Sequence, residues 1–405
     1  MATPVWCCGV ECGALHGLTL GTGGSYSTTT FRSGLRSLRV SGTAATSTTN
    51  IIALGTSHDK IVVRFYVYFA TALPLTTTEI FLWAANGLNT GLYFNSIDSK
   101  LYAGSSIIAL GATGVTVTTG VQYLIDLMID ISVNPRTIDA KVDGTSVGQA
   151  TLATAASTAT VQFKFAANVT ATTFDVFYDD LWLSVTGADY PFGAGYILSY
   201  IPNADGTHNV AGANDFERTL TGTDITNATT DAYELVNDRP LESAAGDFIS
   251  APAPPNSTDY VEIAYENSAE SVAPRSVEAI VGWHDAGGAG THNFSVTLRD
   301  TNGSTTADIM AAATRNNGTS LTSNRAHFAT IPGGTAWTLV AFNALVSRFL
   351  VSDASPDPYI DGLMLEAEYA PVVQNLLSEY GKHAIERGAT AGINTAVRLG
   401  GWLER

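Results

Sequence analysis

Strand-length runs of branched and aromatic residues constrain this chain more than anything else in it. KIVVRFYVYF (60–69) is too rich in Val, Tyr and Phe to favour a helix. QYLIDLMIDIS (122–132) alternates strictly. Tyr123, Ile125, Leu127, Ile129 and Ile131 share one face, and Leu124, Asp126, Met128 and Asp130 the other. EIFLWAAN (79–86), GLYFNS (91–96), KLYAG (100–104), VQFKFA (161–166) and FDVFYDDLWLSV (174–185) repeat the signal. TIDAKVDGTSVGQATL (137–152) places the hairpin dipeptide Asp143–Gly144 between two alternating arms. Short strands with turns about every eight to twelve residues predict a two-sheet sandwich over residues 1–190.

GADYPFGAG (187–195) breaks the pattern, and residues 191–258 read as an irregular connector with one extended segment at 196–202. A second β-rich series follows over 259–370, from DYVEIAYEN (259–267) to PYIDGLMLEAEYA (358–370). Within it, TADIMAAA and AFNALVSRF have the composition of helical turns. From Pro371 the sequence changes to helix formers, with Val372, Val373, Leu376, Leu377 and Tyr380 at helical spacing. The expectation is therefore an all-β chain of two tandem β-sandwich domains with a short C-terminal helical segment, 371–405. Val373, Leu376, Leu377, Tyr380, Trp402 and Leu403 are its candidate assembly anchor, docking on another subunit or back on their own domain.

One phrase occurs twice. DVFYDDLWL (175–183) and DPYIDGLML (357–365) both read D, any, aromatic, any, D, any, L, any, L. Each ends a β series. Strand periodicity puts Asp175, Phe177, Asp179, Leu181 and Leu183 on one face, and Asp357, Tyr359, Asp361, Leu363 and Leu365 likewise. The leucines then enter the core while the aspartates bond loop amides. Two similar domains explain the repeat better than two active sites do.

Charge excludes some functions. Net charge is −17 with no block of Lys and Arg, so no phosphate-binding patch exists in the sequence and nucleic acid is not an expected partner. Only 14% of residues are charged, against the usual quarter. A polar, weakly charged surface suits hydroxyl-rich β-structure and assemblies. No apolar run has the length of a membrane span, and MATPVWCCGVECG lacks the regions of a signal peptide. The expected place of synthesis is a cytoplasm. Cys7, Cys8 and Cys12 are too few for a disulfide framework, and Cys8, Cys12 and His16 lack the second pair of a zinc knuckle.

The opening VWCCGVECG, SGLRSLRVSG (33–42) and the YDDLWL ending together resemble the concanavalin A-like (LamG-type) jelly roll of phage and prophage virion structural proteins. YILSYIPNADGTHN (196–209) and YELVNDRPLE (233–242) resemble the linker of those proteins. The matching positions are Pro202, Ala204, Asp205 and Gly206, then Val236, Asp238 and Pro240, with Asn237 in place of the usual acid. The resemblance implies jelly-roll sandwiches in a bacteriophage virion structural protein, a capsid decoration, fibre or tail-associated part assembled in the host bacterial cytoplasm. It implies other virion proteins as partners and a homo-oligomer, for which a trimer is the expectation. It also implies calcium as the metal to look for, with Asp143, Asp179, Asp180 and Asp205 as candidate ligands.

No catalytic constellation stands out. GTSVG (144–148) matches a nucleophile elbow in letters but falls in a hairpin. The glycan hydrolases of the jelly-roll fold carry E-x-D-x-x-E, which Asp175, Asp179 and Asp180 do not fit. His284, Asp285 and His292 read as loop residues, since neighbours on a strand point apart. The expectation is thus a chain that is not an enzyme. The alternative is a carbohydrate-binding module for host-surface recognition, with Trp83, Tyr93, Tyr102 and Trp182 as candidate glycan-stacking residues. A third reading is a polysaccharide depolymerase.

Overall fold

A computed structural model describes residues 4–371 except 12–17, 22, 43–46, 76, 86–87, 107–108, 134–135, 149, 153–159, 169–173, 213–214, 219–221, 239–247, 252–257, 286–291, 301–304, 316–320 and 352–357. Met1–Tyr369 form one compact unit and Ala370–Arg405 another. The predicted C-terminal helix, with Val373, Leu376, Leu377, Tyr380, Trp402 and Leu403, lies outside the described residues.

The first twelve strands are β1 (Pro4–Cys8), β2 (Gly24–Ser27), β3 (Ser37–Gly42), β4 (Ser47–Ser57), β5 (Lys60–Phe69), β6 (Thr78–Ala85), β7 (Leu88–Asn95), β8 (Lys100–Ser106), β9 (Gln122–Asp130), β10 (Arg136–Val142), β11 (Thr160–Asn168) and β12 (Phe174–Ser184). They form two antiparallel sheets, ordered β10-β9-β5-β12-β3-β2 and β8-β7-β6-β11-β4, with two-residue strands extending the edges. β1 pairs with the second half of β12, beyond the stretch that pairs with β3. The alternation of β9 is realised as read: Tyr123, Ile125, Leu127 and Ile129 enter the core with Ile61, Val63, Phe65 and Val67 of β5. Phe81, Trp83, Leu92, Phe94 and Leu101 reach the same core from the facing sheet.

The second sandwich contains β13 (Tyr196–Tyr200), β14 (Pro202–Asp205), β15 (Val261–Tyr265), β16 (Ser276–Asp285), β17 (His292–Asp300), β18 (Thr305–Arg315), β19 (Thr322–Phe328), α1 (Leu339–Asn343), β20 (Leu345–Val351) and β21 (Pro358–Tyr369). One sheet runs β21-β16-β19 with β13 also on β21, and the other runs β14-β15-β20-β17-β18. The stretch expected to be an irregular connector is built into this sandwich. Tyr200, Val210, Phe216, Ile225, Leu235, Val236 and Ile249 all join its core. Its strands are mostly two residues long, too short to show a period in sequence. Of the two segments with helical composition, 306–313 is strand, and of AFNALVSRF (341–349) only the first three residues are helical, ending the helix Leu339–Asn343 before the strand from Leu345; Thr338 caps that helix, its hydroxyl accepting the Ala341 N–H.

The repeated phrase writes a bulged strand. In β12 the register on β5 slips between Asp179 and Trp182, and Asp180 adopts φ +52°. Val176 and Tyr178 face the core before the slip, and Leu181 and Leu183 after it. In β21 the register on β16 skips Asp361, with Ile360 inside before it and Leu363 and Leu365 after. The expectation that the aspartates and leucines share a face is therefore corrected. An extra residue switches the phase, so the acids stay outside while the leucines go in. Asp357 lies outside the described residues.

Candidate functional site

The outer faces of β12 and β21 do not both meet water. Cys7, Val62, Trp182 and Ile197 form a buried cluster on the outer face of the first sandwich, with Phe192 stacked on Trp182 at 3.6 Å between ring centroids. Around it lies a seam of buried charge. Arg64 of β5 donates to Glu368 of β21 at 2.9 Å, and both side chains are fully buried. Arg275 reaches the same carboxylate at 3.4 Å. Burial pushes the Glu368 carboxyl up, and the two guanidiniums oppose that. Glu11 accepts the amides of Leu35 and Arg36, while its own N–H donates to Glu366. Burial pushes the Glu366 carboxyl to about 8.

The paired aspartates pin the joint. Asp179 accepts the amides of Arg32, Ser33 and Asp180. Asp180 accepts from the Arg32 guanidinium, the Ser33 hydroxyl and the Ile197 amide. Burial, and then the neighbouring Asp180, raise the Asp179 carboxyl well above the carboxylate range. Loop 30–34 and the start of the second sandwich are thus tied to one bulge.

Beside the seam, the open part of the same face holds a shallow cleft lined by Phe31, Arg32, Tyr66, Tyr68, Gln122 and Phe177. The Arg32 guanidinium lies 3.7 Å over the Tyr66 ring, and Tyr68 and Phe177 are 6.1 Å apart. Gln122 is exposed, and Tyr68 and Phe31 are half-buried. Burial raises the Tyr66 phenol. The cleft offers the half-buried Tyr68 ring and the exposed Gln122 amide, with Tyr66 and Phe177 buried behind them and Arg32 beside them.

The residues singled out in the sequence fall elsewhere. Trp83 is in the first core, Tyr93 is buried, and Trp182 is covered by Phe192, so none of these three rings is available to a sugar. Core packing claimed them because aromatic residues on a strand go to whichever face is covered. Tyr102 is half-buried, bonded to Asp98 and laid against Gly114. Of the candidate calcium ligands, Asp143 sits in the β10 hairpin, Asp179 and Asp180 at the bulge, and Asp205 in the second sandwich, bonded to the amides of Ala232 and Tyr233. The structure does not bring these four together. His284 is on a buried strand, not a loop, and its Nδ1 lies 2.7 Å from Asp361. A trio that sequence reading missed lies in the seam: Cys7, Glu278 and His327 offer one metal-ligand atom each, all within 4.8 Å of one another.

No family model and no curated protein matches the chain. Solved structures similar to it include an endo-β-1,4-glucuronan lyase from the fungus Trichoderma reesei, 16% identical over 46% of this chain and 98% of that one, TM-score 0.37. A carbohydrate esterase from Shiga toxin-encoding bacteriophage phi24B is 12% identical over 46% and 100%, TM-score 0.36. The tandem CBM22 domains of Paenibacillus barcinonensis Xyn10C are 12% identical over 90% and 98%, TM-score 0.28. The expectation that the chain is not an enzyme is corrected on this finding, since a lyase and an esterase stand among its structural neighbours.

Proposed function

We propose that the chain is a carbohydrate-binding protein that holds a surface glycan against the aromatic cleft of the first sandwich. The observation that supports this is the half-buried Tyr68 ring, backed by buried Phe177, beside Arg32 and exposed Gln122 on the open part of that face. Rings give a sugar its apolar face, and the amide and guanidinium bond its hydroxyls or carboxylate. Titration of the full chain against a panel of neutral and uronic-acid oligosaccharides tests it. Binding to one class should weaken by about tenfold or more in Tyr68→Ala, consistent with the worth of one aromatic contact. No binding across the panel, or binding indifferent to Tyr68→Ala and Gln122→Ala, refutes the reading. The same mixtures, followed for new chain ends, decide whether the bound glycan is also cut.

A second reading, a phage virion component, is favoured by the phrase that carries the sequence resemblance. Asp205 holds the amides of Ala232 and Tyr233, Gly206 lies where a Cβ would run into Glu262, and the Val236 carbonyl accepts the Leu363 amide. The phrase folds as a joint within the second sandwich. Its test is the solution mass of the full chain against one ending at Ala370. A defined oligomer that becomes monomeric on truncation supports assembly through the tail, and two monomers count against it.

A further inference from the structure

Three residues in register across the second sandwich line the seam. His327 of β19 pairs with Glu278 of β16, and Glu278 pairs with Glu366 of β21. All three therefore point to the same side of the sheet. Cys7 of β1 in the first sandwich meets them, its thiol fully buried. The Glu278 carboxylate accepts from Arg325 through Oε1, and its Oε2 lies 2.9 Å from His327 Nδ1. That contact leaves Nε2 as the other face of the imidazole. The His327 side chain is 7% exposed, and its Nε2 has no hydrogen-bond partner. The Glu366 Oε2 is also buried without a partner. The Cys7 thiol, a Glu278 carboxylate oxygen and a His327 ring nitrogen lie within 4.8 Å of one another, close enough for one ion to reach all three, with Nδ1 and Oε2 now sharing a proton where such an ion would sit.

Charge points the same way. Cys7 faces the acidic groups Glu278, Glu366 and Glu368, with Arg325 as the opposing cation. Sulfur, imidazole nitrogen and carboxylate oxygen together suit a borderline-soft divalent ion rather than calcium.

We propose that a zinc-class divalent ion binds in the seam through Cys7, His327 and Glu278, fastening the two sandwiches to each other. Binding displaces to solvent the Cys7 thiol proton and the proton held between His327 and Glu278, so affinity rises with pH.

The test uses Co²⁺ and Zn²⁺ on the full chain, kept reduced with a non-chelating phosphine. In a Cys8→Ala/Cys12→Ser chain, Cys7 is the one thiol left. One equivalent of Co²⁺ should give a sulfur-to-cobalt charge-transfer band there, and Zn²⁺ should abolish it. Zn²⁺ should also raise the melting temperature of the wild-type chain, and chelator should reverse the rise. His327→Gln should weaken binding by tenfold or more. The proposal is overturned by absence of the cobalt band in the chain that keeps only Cys7. It is equally overturned by undiminished stoichiometric binding in both Cys7→Ser and His327→Gln. If neither of those variants folds, the spectrum of the Cys7-only chain decides alone.

Discussion

Replacing Arg64 with Met removes the cation that Glu368 was folded against. The two groups are 2.9 Å apart and fully buried. Their attraction is about 6 kcal/mol at an effective dielectric of about 20, and desolvating each ion costs several kcal/mol against it. The pair is thus close to break-even as a unit, but each member alone is a buried charge without its main partner. Arg275, half-exposed at 3.4 Å, replaces Arg64 only in part. Arg64→Met and Glu368→Gln should each destabilise by about 3–5 kcal/mol. The double variant Arg64→Met/Glu368→Leu should cost less than either single one, because no buried charge is left. Urea unfolding followed by tryptophan fluorescence and by circular dichroism measures this, and both probes should shift together if the seam couples the sandwiches. Single variants within about 1 kcal/mol of wild type, or effects that add to within about 0.5 kcal/mol, would refute the reasoning.

Three further perturbations follow from the same seam. Glu366 titrates at about 8 when folded against an ordinary 4.5, so unfolding releases its proton across that window. The metal-free chain should therefore lose stability as pH rises from about 5 to 8, by at most about 5 kcal/mol, and Glu366→Gln should flatten that part of the curve. A pH profile of urea midpoints that is the same in both chains would count against it. Gly195→Ala places a Cβ against the Arg64 guanidinium and the Glu368 carboxylate, with the Tyr369 carbonyl 3.0 Å away, and should lower the melting temperature as Arg64→Met does. Unchanged melting would show that the bridge can shift aside. Trp182→Ala empties a fully buried site under Phe192 and should cost about 3–5 kcal/mol, read by calorimetry. A loss under about 1 kcal/mol would mean that the ring is not packed as described.

Much of the fold was legible because strand period is local. The residues of β9 alternate in the sequence as they do in the sheet, and the hairpin at Asp143–Gly144 needs only its own backbone, with both residues at positive φ. The repeated phrase announced two similar strands, but not that an extra residue in each reverses the phase. For Trp83, Tyr93 and Trp182 the sequence left glycan stacking open beside core packing, the default for aromatics on strands, and packing took all three. The cleft residues Tyr68, Gln122 and Phe177 carried no signal beyond their outward phase. They are ordinary strand residues made into a site by loop 30–34 folding over from Asp179.

What the sequence determined by itself is which residues share a face: a period of two follows from the pleat, and it holds wherever the strand is placed. It could not determine whether that face meets water. Arg64, Glu278, Glu366 and Glu368 occupy the polar phase of their strands, as residues bound for solvent do. Only the docking of one sandwich on the other turned that phase inward, and so made buried ion pairs of Arg64 with Glu368 and of Arg325 with Glu278. Cys7 and His327 lie near opposite ends of the described chain, and no local pattern links them. Their meeting is a property of the interface, because burial is set by what covers a surface and not by the strand that bears it.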